Sequence, residues 1–192
     1  MKFRKLKAEE IDVRVGNIIS TAKWQGYSLL LYKDARCDMN ILDETAGAEN
    51  WQRDHKEVKG NLYCGVGLKT DDGSWVWKWD CGTESNTEKE KGEASDSFKR
   101  ACVNWGIGRE LYTAPNNMLI KCELENGKLP QSEKYRRFTV TQISYDNDKI
   151  SGIEIVDTKT GEVVYKKVSK SVSKAMSNEE VSVWTYMKFQ TN

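Results

Sequence analysis

The sequence predicts an α+β protein, and three patterns predict it. Residues 58–69 and 75–79 alternate apolar and polar positions on either side of Thr70-Asp71-Asp72-Gly73, the signature of an antiparallel hairpin. Residues 87–105 place Ala94, Phe98, Ala101 and Trp105 at i, i+4, i+7 and i+11, one face of a long helix. Runs at 138–145, 149–156 and 162–168 alternate again between polar turns, so the C-terminal half is rich in strands.

Taken in order, the chain opens with Lys2, Arg4, Lys5 and Lys7 ahead of a short helical candidate at 8–15, with Ile11 and Val15 apolar and Gly16-Asn17 as its end. The basic arm reads as a contact for DNA or a neighbouring subunit, or as a merely soluble terminus. Residues 27–32 form a short strand. Asp34 caps a helix whose face is Cys37, Ile41 and Leu42 and which ends at Gly47. Arg36 falls in its first turn, the wrong end for a cation beside the helix dipole, which calls for a phosphate ligand or a carboxylate such as Asp34 or Asp38. His55 lies in a polar, loop-like stretch and reads as a surface histidine.

Trp75, Trp77 and Trp79 share one face of their strand, and Val76, Lys78 and Asp80 the other. Their bulk is expected to pack against the long helix, ahead of a subunit interface or a base-stacking surface. Thr87 with Glu90 is a capping-box pair at that helix's start, and Gly106 and Gly108 bend or stop it. Lys99 and Arg100 stand beside the apolar stripe, where they are either phosphate contacts or a solvated edge, and Arg109 follows the break. Beyond it come a loop with Pro115, a strand at 118–124, a turn at 125–127 and the cations Lys134, Arg136 and Arg137. The three later strands make a meander, joined to the main sheet or separate. Residues 169–192 read as a linker and tail, with an alternating run at 182–189.

Composition excludes several functions. Net charge is +1 over 192 residues, so any polyanion binding must rest on local clustering. No apolar run reaches membrane-spanning length and the start lacks a secretory segment, which points to the cytoplasm. Five dispersed cysteines without a C-x-x-C favour buried thiols over a zinc site or a disulfide framework. No phosphate-cradling G-x-x-x-x-G-K-S/T occurs, and the carboxylates at Asp71, Asp72, Glu88, Glu90 and Glu93 suit a turn and a helix start. Neither an enzyme nor a metal or other cofactor is expected.

SDSFKRACVNWG resembles the signature helix of the single-strand annealing protein superfamily, which includes the eukaryotic recombination mediator and phage annealases of the Sak type. YKDARCDMNILDETAGAENW is similar to its arginine-bearing helix, and LYCGVGLKTDDGSWVWKWDCG to its central hairpin. The resemblance covers roughly residues 6 to 112. It implies a curved antiparallel sheet packed on a long central helix (a β-β-β-α annealase core, residues 1–112), followed by a β-rich extension at 113–168 and the tail.

The resemblance also implies single-stranded DNA binding and ATP-independent annealing in homologous recombination and repair, by a ring or helical homo-oligomer in a bacterial host cell. A single-stranded DNA-binding protein is a candidate partner, and a non-annealing accessory in phage replication is the alternative. Carried over, Arg36, Lys99 and Arg100 are groove cations, and Lys69 resembles a lysine of an outer DNA contact. Where the eukaryotic protein has a further arginine, this chain has Val103 and Asn104; Arg109, Lys134, Arg136 and Arg137 are possible substitutes.

Overall fold

The architecture comes from a computed structural model that describes residues 1–83 and 89–169, Lys89 by its backbone alone. The Thr87 capping box and residues 170–192, with the run at 182–189, lie outside the described residues. The described elements are β1 (Asp12–Ser20), β2 (Gln25–Tyr32), α1 (Ala35–Ala46), β3 (Trp51–Val58), β4 (Asn61–Lys69), β5 (Trp75–Cys81), α2 (Lys89–Trp105), β6 (Leu119–Lys121), α3 (Gln131–Lys134), β7 (Phe138–Asp146), β8 (Lys149–Asp157) and β9 (Val163–Lys167). They fall into two compact units, one of residues 1–12 and 31–113, the other of 13–30 and 114 onward.

In the first unit β3, β4 and β5 form an antiparallel sheet in chain order. Lys59 and Gly60, both at positive φ, make the two-residue turn that such a hairpin favours. Val66 and Cys64 of β4 are fully buried, as are Phe98, Ala101 and Cys102 of α2. The helix is fixed to the sheet by that apolar stripe and by single polar links. Glu93 accepts from the Leu62 amide at 2.9 Å, and Trp105 donates from Nε1 to the Val66 carbonyl at 2.9 Å. Gly106, at φ 102°, ends the helix as expected.

The second unit holds an antiparallel sheet of six strands, ordered β6-β2-β1-β7-β8-β9. It curls into a nearly closed barrel, and Tyr165 of one edge strand donates to Asn117 beside the other at 2.9 Å. The fold is therefore α+β with antiparallel sheets, but not the simple β-β-β-α core expected. That succession is present as β3-β4-β5-α2, while the C-terminal meander shares its sheet with β1 and β2.

Three expectations are corrected. Residues 8–15 are not a helix: a single 3₁₀ turn at Ala8–Glu10 leads into β1. Val13, Val15, Ile18 and Ile19 are β-branched and hold the backbone extended more readily than helical. The polar stretch around His55 is not a loop but β3, paired with β4 along its whole length. Charged residues suit an edge strand. Finally, the row Trp75, Trp77 and Trp79 does not pack α2. Its register opposes Lys69, Gly67 and Gly65, whereas the helix rests on the face that carries Val66 and Lys78, with the Lys78 ammonium 4.3 Å from the Trp105 ring.

Candidate nucleic-acid interface

Asp34 caps α1 as its sequence predicts, accepting from the Arg36 amide, and Gly47 closes the other end. This sets Arg36 in the first turn with its side chain 86% exposed and its Nε 3.4 Å from an Asp34 oxygen. So exposed a pair contributes little, and its guanidinium is available to a stronger anion.

Beneath it, Lys33 and Asp38 form an ion pair, their side chains only 4% and 0% exposed. Burial pushes the Asp38 carboxyl up to about 6, while Lys33 and, further off, Lys99 pull it back. Gly108 presses on the Lys33 stem, so the pair is held between α1 and the end of α2. The neighbouring Cys102 thiol is raised by burial and by the Asp38 charge. All five cysteines are free thiols, and burial raises those of Cys37 and Cys64 to about 12 and about 11.

Over this floor opens a concavity of about 440 Å³. α1 supplies Arg36, β3 supplies Arg53 and His55, and α2 supplies Lys91 and Lys99; among the described residues Asp34 is the one acidic side chain in the lining, and Lys33 is neutralised by Asp38. Arg53 lies over the buried Phe98 ring at 5.2 Å, a cation–π contact that anchors its position while its side chain stays exposed. The His55 Nε2 lies 3.5 Å from the Ala94 carbonyl. The walls thus come from both helices and one sheet edge, and they can engage successive phosphates along a strand.

Of the five residues singled out from the sequence, Arg36 and Lys99 share this concavity. Arg100, one position on and so rotated around the helix, pairs with Asp80 at 3.2 Å instead. Lys69 ends β4 opposite Trp75, on the tryptophan face. Arg109 donates to the Val103 and Asn104 carbonyls at 2.9 and 3.1 Å, closing the C-terminus of α2. Asn104 itself is tied to the Trp79 carbonyl and to Asp80. In the second unit, Arg136 is bound to Asp157 and Glu133 at 2.7 and 3.1 Å, and Lys134 lies over Tyr135. The N-terminal arm is also engaged, Arg4 pairing with Glu10 and Glu44 at 2.7 and 2.6 Å.

Sequence reasoning missed Arg53, His55 and Lys91. The signal was available in Trp51-Gln52-Arg53-Asp54-His55, whose alternate residues share a face once the stretch is read as a strand.

Two helices and a sheet edge thus converge on one cation-lined concavity, an arrangement suited to a polyanion. Residues 4–128 match the family model described as Rad52/22 family double-strand break repair protein. The match spans well over half of the chain, and the chain belongs to that family. Membership supports a general role in DNA binding and recombination, and proteins of the family generally bind single-stranded DNA and oligomerise. No curated protein matches the chain.

Proposed function

We propose that this protein binds single-stranded DNA along the Arg36, Arg53 and Lys99 groove and anneals complementary strands without nucleotide hydrolysis. The observation that carries the reading is the convergence of cations from α1, β3 and α2 on one concavity whose lining, among the described residues, holds the single carboxylate of Asp34, the Lys33 beside it being paired with buried Asp38. Annealing makes and breaks no covalent bond. Its obstacle is repulsion between two phosphate backbones, which ordered cations relieve in a salt-dependent way. One subunit offers few such groups, so a homo-oligomer that aligns many grooves gives a useful affinity. Arg100 stands beside the groove and shares its charge with Asp80, whereas Lys69 lies on the opposite face of the sheet and Arg109 caps the end of α2. The phage-type assignment and a single-stranded DNA-binding protein as partner rest on resemblance alone.

The test is annealing of two complementary fluorescent oligonucleotides at low and moderate salt, without ATP or added metal. Wild type accelerates pairing, and Arg36→Ala/Lys99→Ala abolishes the acceleration while the oligomer mass stays unchanged. Acceleration that survives the double substitution overturns the groove. Tight binding by wild type without acceleration assigns a coating or recruiting role.

A further inference from the structure

The tryptophan face of the β3–β5 sheet is distinct from the groove, which lies on the α2 side. Trp75, Trp77 and Trp79 run down β5 opposite Lys69, Gly67 and Gly65. A Cβ at Gly67 would sit 2.8 Å from the Trp77 ring, and one at Gly65 2.5 Å from the Trp79 ring. The indoles therefore lie against bare backbone, a position that any larger residue in β4 would deny them. Successive ring centroids are 6.5 and 5.8 Å apart, with planes inclined by 35° and 25°. The row is tiled over the bare backbone of β4, with Trp75 exposed and Trp77 and Trp79 half-buried. Trp75 is 36% exposed, Lys69 is exposed at one end, and at the other the Lys56 ammonium lies 4.4 Å over Trp79.

We propose that this indole row is a base-stacking platform for unpaired nucleic acid, a second binding surface on the opposite side of the sheet from the phosphate groove. It rests on the groove reading only for the choice of nucleic acid as ligand. Rings accept bases of any identity, and cations beside them hold the backbone. The ring spacing of 5.8 to 6.5 Å is well above the roughly 3.4 Å per nucleotide of a duplex strand, so only a stretched single strand can give separate rings separate bases. Bases inside a duplex have no free face to offer. The alternative occupant is a second copy of this chain, but Gln52, Asp54, Lys56 and Lys69 are all exposed on this face, and protein interfaces deplete charge at their centres.

The experiment measures binding of the full chain to oligothymidylate and to an abasic oligomer of equal length, with tryptophan emission followed in parallel. Wild type prefers the base-bearing strand by at least about fivefold, and only that strand quenches emission. In Trp75→Leu/Trp77→Leu the preference falls to unity while abasic binding is unchanged. Arg36→Ala/Lys99→Ala weakens binding of both strands and keeps the preference between them; if abasic binding is not weakened there, the groove fails and the indole row is still decided by the ratio. No preference in wild type, or a preference unaltered in a folded leucine variant, overturns the proposal. So does a leucine variant that changes oligomer mass and keeps the preference, which makes the row an interface between copies. Should the double leucine variant not fold, absence of quenching in wild type or an unchanged preference in the single variant Trp75→Leu, at the most exposed of the three indoles, rejects it.

Discussion

The two faces of the β3–β5 sheet combine aromatic and cationic residues differently. On the α2 side the ring is innermost: Phe98 is fully buried, Trp51 packs 6.2 Å from it, and Arg53 lies over it with its charge outward. On the other side, glycines are innermost, indoles lie over them, and lysines sit at the two ends. A cation outside a ring is suited to a phosphate, while a ring over bare backbone is suited to a base. The same residue types thus suit different halves of a nucleotide according to which is nearer the solvent.

The largest expected effect comes from removing the ring that supports the groove. Phe98→Ala leaves a cavity beneath Trp51 and Arg53, and urea unfolding should show a loss of about 3–5 kcal/mol. If the loss is small, the groove wall does not depend on that ring and Arg53 is positioned by something else. The matching change on the other face is Gly65→Ala. The added Cβ collides with the Trp79 ring, at 2.5 Å in the unrelaxed geometry, and overpacking of this kind costs about 1–3 kcal/mol. Tryptophan emission should move to longer wavelength as the indole is driven outward. An unchanged spectrum and stability would mean that the indoles are not laid on the glycine floor.

How these faces are arranged was only half legible in the sequence. Helix α1 could be bounded from Asp34 and Gly47, and α2 from its Ala94-Phe98-Ala101-Trp105 stripe, because caps and periodicity are local signals. Period two likewise groups Leu62, Cys64, Val66 and Leu68, and separately Trp75, Trp77 and Trp79. It does not say whether the groups share a face. That depends on register, which the five-residue connection 70–74 sets by pairing Lys69 with Trp75, so that Gly67 and Gly65 fall beneath the indoles. The glycines were the readable clue, since residues without side chains opposite indoles mark the tryptophan side. Arg53 escaped notice for a related reason, because a charged edge strand has the composition of a loop. β1 was misread because Ile11 and Val15 fit a helical spacing while Val13 and Val15 fit a strand. Pairing to distant β7 is not visible locally.

Acid titration probes the floor of the groove. Burial raises the Asp38 carboxyl to about 6, so between that value and the ordinary aspartate range near 4 the folded state holds a proton that the unfolded chain has released. Stability must then rise as pH falls through this window. From about pH 7.5 to about pH 5 the gain is about 1 kcal/mol. Asp38→Asn should remove that slope. A wild type that weakens steadily over the same range would show that the Lys33 pair keeps Asp38 ionised. Below about pH 4 the sign reverses, because Glu10 beside Arg4 and Asp157 beside Arg136 have lowered values and their contributions are lost as they protonate.

The smallest effect separates a cation within α2 from one just beyond its end. Arg109 donates to the last carbonyls of α2, a favourable place for positive charge, and Arg109→Ala should cost about 0.3–1 kcal/mol of stability. Lys99 lines the groove and makes no such contribution, so Lys99→Ala should leave unfolding nearly unchanged. For binding the order is reversed: loss of Lys99 should reduce the dependence of log affinity on log salt by about one, uniformly across sequences, and loss of Arg109 should not. Arg100 gives the intermediate case, since its bond to Asp80 must be shared with any phosphate. If Arg109→Ala lowers the salt slope as much as Lys99→Ala does, the DNA path runs past the end of α2 and the groove extends beyond the concavity beside α1.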